Sequence, residues 1–169
     1  QNDSTDSMKY LSLIVILFLT GIIHADDPGK EKIGSLRVEM IFATNGDLSR
    51  LGGRGKELKS DQIKAITAVK KLVFKEYRSL GVETPSILRS YESWATPLRP
   101  SKEMLVSFEP LRRDGKDRIQ MALEYWQSKR KLFQTTPILI KGKPLYLLGP
   151  EWRGGRLILK VELLELTSS

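Results

Sequence analysis

The 169-residue sequence contains no cysteine and only one histidine, His24. Without cysteine the chain has no disulfide, no thiolate nucleophile and no cysteine ligand for zinc. The single histidine lies at the end of an N-terminal apolar run, and removal of that run would leave no histidine at all. Ser-His-Asp catalysis, Cys-His catalysis and histidine-based metal sites would then be excluded. We therefore expect no metal and no cofactor.

The longest apolar run covers Leu11–Ile23, and Lys9 supplies a positive charge before it. A membrane-spanning helix needs about 20 apolar residues, so this run is short for a crossing. It ends at the small residue Ala25, and a polar, helix-breaking Asp-Asp-Pro follows. We predict a cleaved signal peptide over residues 8–25, with residues 1–7 as upstream or expression-derived sequence, and hence a periplasmic or extracellular protein. The alternatives are an uncleaved N-terminal anchor and a buried core helix.

The composition is basic, with 28 lysines and arginines against 20 aspartates and glutamates, a net charge of +8. The segment up to the predicted cleavage site contains one lysine and two aspartates, so its removal raises the net charge to +9. Such a surface favours anionic partners: nucleic acid, phospholipid headgroups or acidic envelope polymers. The alternative is that the charge only promotes solubility. Small secreted domains of animals are often rich in disulfides, so the absence of cysteine from an exported domain of this size favours a bacterial envelope protein.

The first half of the remaining chain predicts one strand and one helix. Residues 26–34 are polar and predict a flexible lead-in, whereas residues 36–43 alternate between apolar and polar side chains, as a strand does. Residues 61–80 have apolar side chains at helical spacing and end before Gly81, which predicts an amphipathic helix. Its basic face is either a candidate site for an anionic partner or only the solvated side. The residues of this face are Lys64, Lys71, Lys75 and Arg78.

A basic, glycine-rich stretch precedes the predicted helix and runs from Leu51 to Lys56. Backbone amides of such a stretch cradle phosphates when it follows the P-loop pattern. Here Arg50 stands where that pattern needs glycine, and Glu57 stands where it needs serine or threonine. The stretch therefore predicts a surface loop.

After Pro85 the spacing changes to the two-residue period of strands. In a first hairpin, a two-residue turn at Asp114-Gly115 would pair Val106 with Leu123 and make every pair on one face apolar. Residues 35–166 thus predict a single α+β domain: one amphipathic helix packed on a mostly antiparallel meander sheet of about six to seven strands. The predicted elements are strands over 87–94 and 157–166, the hairpin of 103–111 with 118–126, and a second hairpin of 132–140 with 145–148.

Several segments of the C-terminal half are similar to small exported bacterial β-rich proteins of unknown function. The similarity extends over about residues 70–166. It implies an exported, β-rich fold and carries over no activity and no site residue. The segments concerned are Tyr-Arg-Ser-Leu at 77–80, the hairpin at 104–126, Lys-Pro-Leu-Tyr-Leu-Leu-Gly-Pro at 143–150 and Gly-Gly-Arg-Leu-Ile-Leu at 154–159.

Two forms of catalysis remain compatible with the residue types that are present. Ser128 and Lys131 have the Ser-x-x-Lys spacing, but no Lys-Thr-Gly partner exists, and chance explains the match in a lysine-rich chain. A carboxylate pair of the glycosidase type is the other form, although nothing in the sequence sets the distance between any two carboxylates. The candidate carboxylates are Glu92, Glu109, Glu124 and Glu151.

Aromatic residues cluster late in the chain beside basic ones. This composition is typical of a stacking surface for sugar or single-stranded nucleic acid, and core packing is the alternative. The candidate residues of this surface are Trp126, Arg130, Lys141, Lys143, Trp152 and Arg153.

These observations favour an exported, non-catalytic binding domain of the bacterial envelope. Its expected partner is another envelope protein at an exposed sheet edge, or an anionic polymer or membrane surface. The alternatives are a carboxylate-based hydrolase of an envelope polymer, and a basic domain that binds nucleic acid if the signal is not used. The sequence leaves the partner, the oligomeric state and the strand order open.

Overall fold

A computed structural model describes residues 26–99 and 101–167. The predicted signal peptide, residues 8–25, and residues 1–7 lie outside the described residues. The helix α1 spans Ser60–Thr67, and 3-10 turns span Pro28–Lys30, Ser49–Leu51 and Lys70–Leu72. The strands are β1 (Lys32–Thr44), β2 (Lys56–Glu57), β3 (Glu76–Glu83), β4 (Ser86–Leu88), β5 (Ser93–Ala95), β6 (Met104–Arg113), β7 (Arg118–Gln127), β8 (Arg130–Thr135), β9 (Ile138–Ile140), β10 (Leu145–Trp152) and β11 (Gly155–Leu166).

The strands form two antiparallel sheets. Sheet 1 has the order β10-β11-β1-β3-β2, with β4 also paired to β1, and sheet 2 has the order β5-β6-β7-β8, with β9 also paired to β7. The prediction of an α+β domain with a single sheet and one long helix is wrong, because strands make up 56% of the structure and helical residues 12%. The apolar faces of the two sheets are buried against each other, so a covering helix is not needed there.

The alternating residues of β1 confirm the strand that was predicted over 36–43. Leu36, Val38, Met40 and Phe42 all lie in the core between the sheets, each at most 1% exposed. This alternation is the two-residue period of a strand with one face on a core. Strands β6, β7 and β11 supply the facing side chains, namely Met104, Val106, Phe108, Met121, Leu123, Tyr125, Leu157 and Leu159.

Strand β11 lies between β10 and β1 and is buried on both faces, as its run of apolar residues indicates. Leu157 and Leu159 face the core between the sheets, whereas Ile158 faces a second cluster on the outer side of sheet 1. In that cluster Ile66 of α1 and Leu72 of the following turn cover the sheet. The short helical region thus stabilises only one face of sheet 1.

The helix predicted over residues 61–80 is wrong beyond Thr67. Val69 and Val73 have extended backbone angles, and residues 76–83 form β3, which pairs with β1. Pairing with β1 satisfies the backbone N–H and C=O groups of this segment, which outweighs the helical spacing of its side chains. Gly81, predicted to end the helix, lies instead where a Cβ atom would be 2.0 Å from the carbonyl oxygen of Pro97.

Two other predicted elements are divided between the sheets. The strand over 87–94 is wrong as one element, because β4 pairs with β1 in sheet 1 and β5 pairs with β6 in sheet 2. The second hairpin is also wrong: β8 and β9 pair with β7, whereas β10 pairs with β11. Only an isolated bridge between Ile140 and Lys143 joins the two halves of that predicted hairpin. The chain therefore changes sheets over residues 89–92 and 141–144.

The first hairpin is confirmed, but its predicted register is wrong by two residues. The structure pairs Val106 with Tyr125 and Phe108 with Leu123. The connection is longer than two residues, since the N–H of Asp114 bonds the carbonyl oxygen of Arg118 at 3.0 Å. A shift by two keeps every side chain on its face, so the predicted apolar face is the one that is buried.

Part of the predicted flexible lead-in belongs to the sheet. Residues 32–34 open β1, and Ile33 lies in the core between the sheets. Before them, the Tyr91 hydroxyl donates a hydrogen bond to the Asp27 carboxylate at 2.7 Å. This bond lowers the pKa of Asp27 and raises the pKa of Tyr91, so the contact joins a carboxylate to a neutral phenol.

Candidate functional site

The candidate site is built on the tight turn between β10 and β11. Trp152 pairs with Gly155, which leaves Arg153 and Gly154 as a two-residue turn with φ angles of 48° and 80°. Positive φ at both positions is the geometry of a type I′ hairpin turn, for which asparagine and glycine are preferred. An arginine at the first position is unusual, because a positive φ costs conformational free energy in a non-glycine residue. The side chain of Arg153 is therefore a candidate for a functional role.

Trp152 packs against the core on one side and contacts the Arg153 side chain with its ring. Its ring meets the Phe42 ring edge-on, with centroids 6.0 Å apart and planes at 72°. On the outside, the Arg153 guanidinium carbon lies 4.6 Å from the centroid of the Trp152 ring, a cation–π contact. An Nη atom of Arg153 also donates to the carbonyl oxygen of Arg50 at 3.4 Å.

A cleft of about 470 Å³ opens on one side of this turn. Phe74 and Trp152 supply its aromatic walls, and Arg153 and Arg156 supply its charge. Arg156 lies 3.7 Å from a Glu151 carboxylate oxygen, while its buried Nε has no hydrogen-bond partner among the described residues. A buried donor without a partner carries an energetic cost in the folded protein.

A second cavity, of about 570 Å³, is also lined by Trp152. Leu80 and Leu98 form its apolar part, and Arg54 and Arg99 line it. Arg99 is paired with Glu83 at 2.6 Å, but Arg54 makes no ion pair with any residue that the structure describes. Both volumes fall within the range of ligand pockets in proteins, about 300–1,000 Å³.

The glycine-rich loop predicted at the surface places two of these arginines. Leu51 is 2% exposed and fastens the loop to the core, between Arg50 and Arg54. The side chain of Arg50 runs past Gly154 so closely that a Cβ atom there would lie 2.7 Å from its Nη1. At the loop's start, hydrogen bonds from Ser49 lower the pKa of the Asp47 carboxyl. We call the two cavities with Arg50, Arg54, Arg99, Arg153 and Arg156 around Trp152 the arginine cleft.

The predicted basic and aromatic surface is only partly assembled. Trp152 and Arg153 are in the arginine cleft, but Trp126 lies in sheet 2 with Trp94, 6.0 Å away between ring centroids. Arg130 opens β8. Lys141 and Lys143 lie in the crossing from sheet 2 to sheet 1.

The predicted basic helix face does not exist as one surface, because the helix ends early. Lys64 is in α1, Lys71 is in the following 3-10 turn, Lys75 is in a connection and Arg78 is in β3. Arg78 is further engaged by Glu76 at 3.5 Å and by the carbonyl oxygen of Tyr77 at 2.8 Å. No common helical face presents these four charges.

The structure gathers three of the four candidate carboxylates. Glu92, Glu109 and Glu124 line one shallow cavity of about 150 Å³ in sheet 2, whereas Glu151 borders the arginine cleft. Glu124 accepts a hydrogen bond from Lys131 at 2.9 Å, which lowers the pKa of its carboxyl group. Trp126 Nε1 donates a second hydrogen bond to Glu124 at 2.9 Å, which also lowers this pKa, whereas partial burial of the carboxylate raises it. Within residues 26–99 and 101–167, no three acidic or metal-ligating side chains are placed to hold a metal ion.

The sequence analysis missed most of the arginine cleft. Arg50, Arg54 and Arg99 were not candidates, and Arg156 was noted only beside the last strand. The glycine-rich loop was the one local indication of Arg50 and Arg54, because it combines mobility with basic side chains. Their convergence on Trp152 depends on contacts between residues about 100 positions apart, such as Arg153 with Arg50.

Comparison of the chain with protein-family models, with curated proteins and with solved structures gives no match. Among the helices that the structure describes, none has the length and apolar character that a membrane crossing requires.

Proposed function

We propose that the protein is an exported, non-catalytic domain of the bacterial envelope that binds an anionic polymer in the arginine cleft. The observation that carries this proposal is the set of unpaired guanidinium groups around one half-buried tryptophan. Arg54 and Arg153 make no ion pair with any described residue, although the chain contains 20 acidic residues. Positive charge left uncompensated at one place favours an anion.

The chemistry of the cleft indicates the class of anion. The planar guanidinium group presents paired N–H donors that match the oxygens of phosphate, sulfate or carboxylate, whereas lysine acts as a point charge. The site uses arginine throughout, and Arg156 lines the cleft beside Arg153. Two cavities that share Trp152 in their lining suit a ligand with several anionic groups along a chain.

Binding to polyphosphate tests this proposal. The double variant Arg54→Ala/Arg153→Ala should bind at least about tenfold more weakly, a loss of about 1.4 kcal/mol. The control is Lys64→Ala/Lys71→Ala, which removes the same two charges from exposed positions of the helical region. Near-normal affinity of the control supports a defined site. Equal losses in both variants would show that binding depends only on total charge, and the arginine cleft would be abandoned as the site.

The proposed compartment has a separate test, because it depends on residues 8–25 alone. The N-terminal residue of the protein made in a bacterial host reports whether this segment is removed. Asp26 as the first residue supports export with cleavage. An intact Met8 in a cytoplasmic fraction contradicts export. The preferred anionic ligand would then be nucleic acid, and binding of a single-stranded oligonucleotide would test it.

A carboxylate-based hydrolase is the second candidate, favoured by the three glutamates that share one cavity. Such an enzyme needs one carboxyl group that stays protonated near neutral pH. Glu124 has the opposite property, since its hydrogen bond from Lys131 lowers its pKa. We therefore rank binding ahead of hydrolysis at this cavity.

A further inference from the structure

A row of polar and aromatic side chains crosses sheet 2, whereas the turn of the arginine cleft belongs to sheet 1. Trp94 in β5 pairs with Ser107 in β6, Ser107 pairs with Glu124 in β7, and Glu124 pairs with Gln134 in β8. Residues that pair directly across strands point to the same face of a sheet. The cavity formed by Glu92, Ser107, Glu109 and Glu124 lies along this row.

Several groups in the cavity have no partner among the residues that the structure describes. Ser107 is 2% exposed, yet its hydroxyl makes no hydrogen bond to any residue within 26–99 and 101–167. Glu92 and Glu109, both exposed, likewise form no ion pair or hydrogen bond within the described chain. Because Ser107 lines the cavity, its hydroxyl can bond a ligand there.

Two tryptophans border these groups, and one of them is fixed in place. Trp126 donates from Nε1 to Glu124 at 2.9 Å, and the Lys131 ammonium lies 5.7 Å from the centroid of its ring. Trp94 is 46% exposed, with its ring tilted by 51° to that of Trp126. An exposed indole beside a fixed one offers an apolar surface next to hydrogen-bonding groups.

We propose that this surface, the tryptophan face (Trp94, Trp126, Glu92, Ser107, Glu109 and Glu124), binds a saccharide that carries a free ammonium group. The C–H side of a sugar ring packs on Trp94, and its hydroxyl groups bond Ser107 and Gln134. The ammonium group pairs with Glu92 and Glu109, while Glu124 is already held by Lys131.

Charge complementarity decides the class of sugar. Three carboxylates and one ammonium group surround the cavity, so its local charge is negative on a protein whose net charge is +8. A cationic ligand is repelled by the net charge of the protein and attracted by the local negative charge of this cavity. This site is independent of the arginine cleft, whose ligand has the opposite charge.

Titration calorimetry with three hexasaccharides tests the proposal: glucosamine, N-acetylglucosamine and glucose oligomers, at a pH where the amine is protonated and glutamates are ionised. We expect the glucosamine hexamer to bind at least about tenfold more tightly than the other two. Trp94→Ala and the isosteric Glu109→Gln should each weaken it several-fold. Both positions are exposed, and circular dichroism checks that the variants fold.

The matched controls are Glu57→Gln, an exposed glutamate of sheet 1, and Arg153→Ala in the arginine cleft. Both should leave the affinity for the glucosamine hexamer unchanged. Absence of binding overturns the proposal, and so does an equal loss in the Glu57 control. Equal affinity for the acetylated hexamer overturns the role of charge, and shortening of the oligomer during the titration overturns a purely binding role.

Discussion

The hydroxyl group of Tyr77 donates a hydrogen bond to the carbonyl oxygen of Leu72 at 2.6 Å. The same hydroxyl accepts a hydrogen bond from the backbone N–H of Phe74 at 2.7 Å, and Tyr77 is only 3% exposed. Through these bonds the first buried residue of β3 holds the 3-10 turn where the predicted helix breaks off. The contact is local in sequence but exists only because β3 is seated on β1.

We therefore expect Tyr77→Phe to destabilise the protein by about 1–3 kcal/mol, because it leaves two buried backbone groups without a partner. Tyr125→Phe is the matched comparison. Tyr125 is also fully buried, but its hydroxyl contacts only the thioether sulfurs of Met104 and Met40, at 3.4 and 3.8 Å. Sulfur is a weak acceptor, so this variant should lie within about 1 kcal/mol of the parent. Urea denaturation measures both; similar losses in the two variants would contradict the difference.

The close approach of β3 to the segment after β5 gives a second prediction. A methyl group at Gly81 would lie 2.0 Å from the carbonyl oxygen of Pro97, so Gly81→Ala should cost about 3 kcal/mol or more. At Gly46 the nearest atom would be Thr44 Oγ1 at 3.6 Å, an ordinary contact. Gly46→Ala should therefore change the free energy of unfolding by less than about 1 kcal/mol. A mild Gly81→Ala phenotype in thermal melts would show that the two segments separate easily.

Acid should weaken the contact between the first and last strands. Glu165 bonds Lys32 at 3.2 Å and the Ser35 hydroxyl at 3.1 Å, and these contacts lower its pKa. Its contribution to stability is then complete above the unfolded-state value of about 4.3 and is lost as the pH falls through the lower folded-state pKa. Glu165→Gln should melt below the parent at pH 6 and approach it as the pH decreases towards 2. A Glu165→Gln difference that does not shrink would be inconsistent with this linkage.

The turn arginine gives a prediction in which stability and binding change in opposite directions. Arg153 has a φ of 48°, and a positive φ costs a non-glycine residue about 1 kcal/mol, a cost that glycine does not have. Arg153→Gly therefore removes this cost, and it also removes one positive charge from the arginine cleft. We expect an equal or higher melting temperature together with weaker polyphosphate binding. A variant that melts earlier would show that the contacts of Arg153 with Trp152 and Arg50 outweigh the backbone cost.

Local patterns were sufficient where one strand alternates on a single face. Leu36 to Phe42 in β1 and the apolar face of β6 and β7 were predicted and are buried, because side-chain alternation follows directly from strand geometry. The register of that hairpin was wrong because its turn is longer than the Asp-Gly pair indicates, and an apolar face alone does not distinguish shifts of two residues.

Pairing between distant segments decided the elements that were predicted wrongly. Tyr77 and Leu80 have helical spacing with Val73, but residues three apart in a strand point to opposite faces, so β3 places them in different clusters. The choice between sheets for residues 87–94 and 132–148 likewise depends on which strand is free to pair, and no local pattern contains that information.

The sequence by itself determined the basic charge, the residue types that exclude thiol chemistry, and the strand faces of β1, β6, β7 and β11. These properties depend on composition or on neighbours within a few positions. The tertiary structure decided that there are two sheets, that the basic helix face is dispersed, and that arginines from separate loops surround Trp152 while Trp126 joins glutamates on sheet 2. The reason is that strand pairing and the burial of both sheets bring together residues whose separation along the chain no local pattern can span.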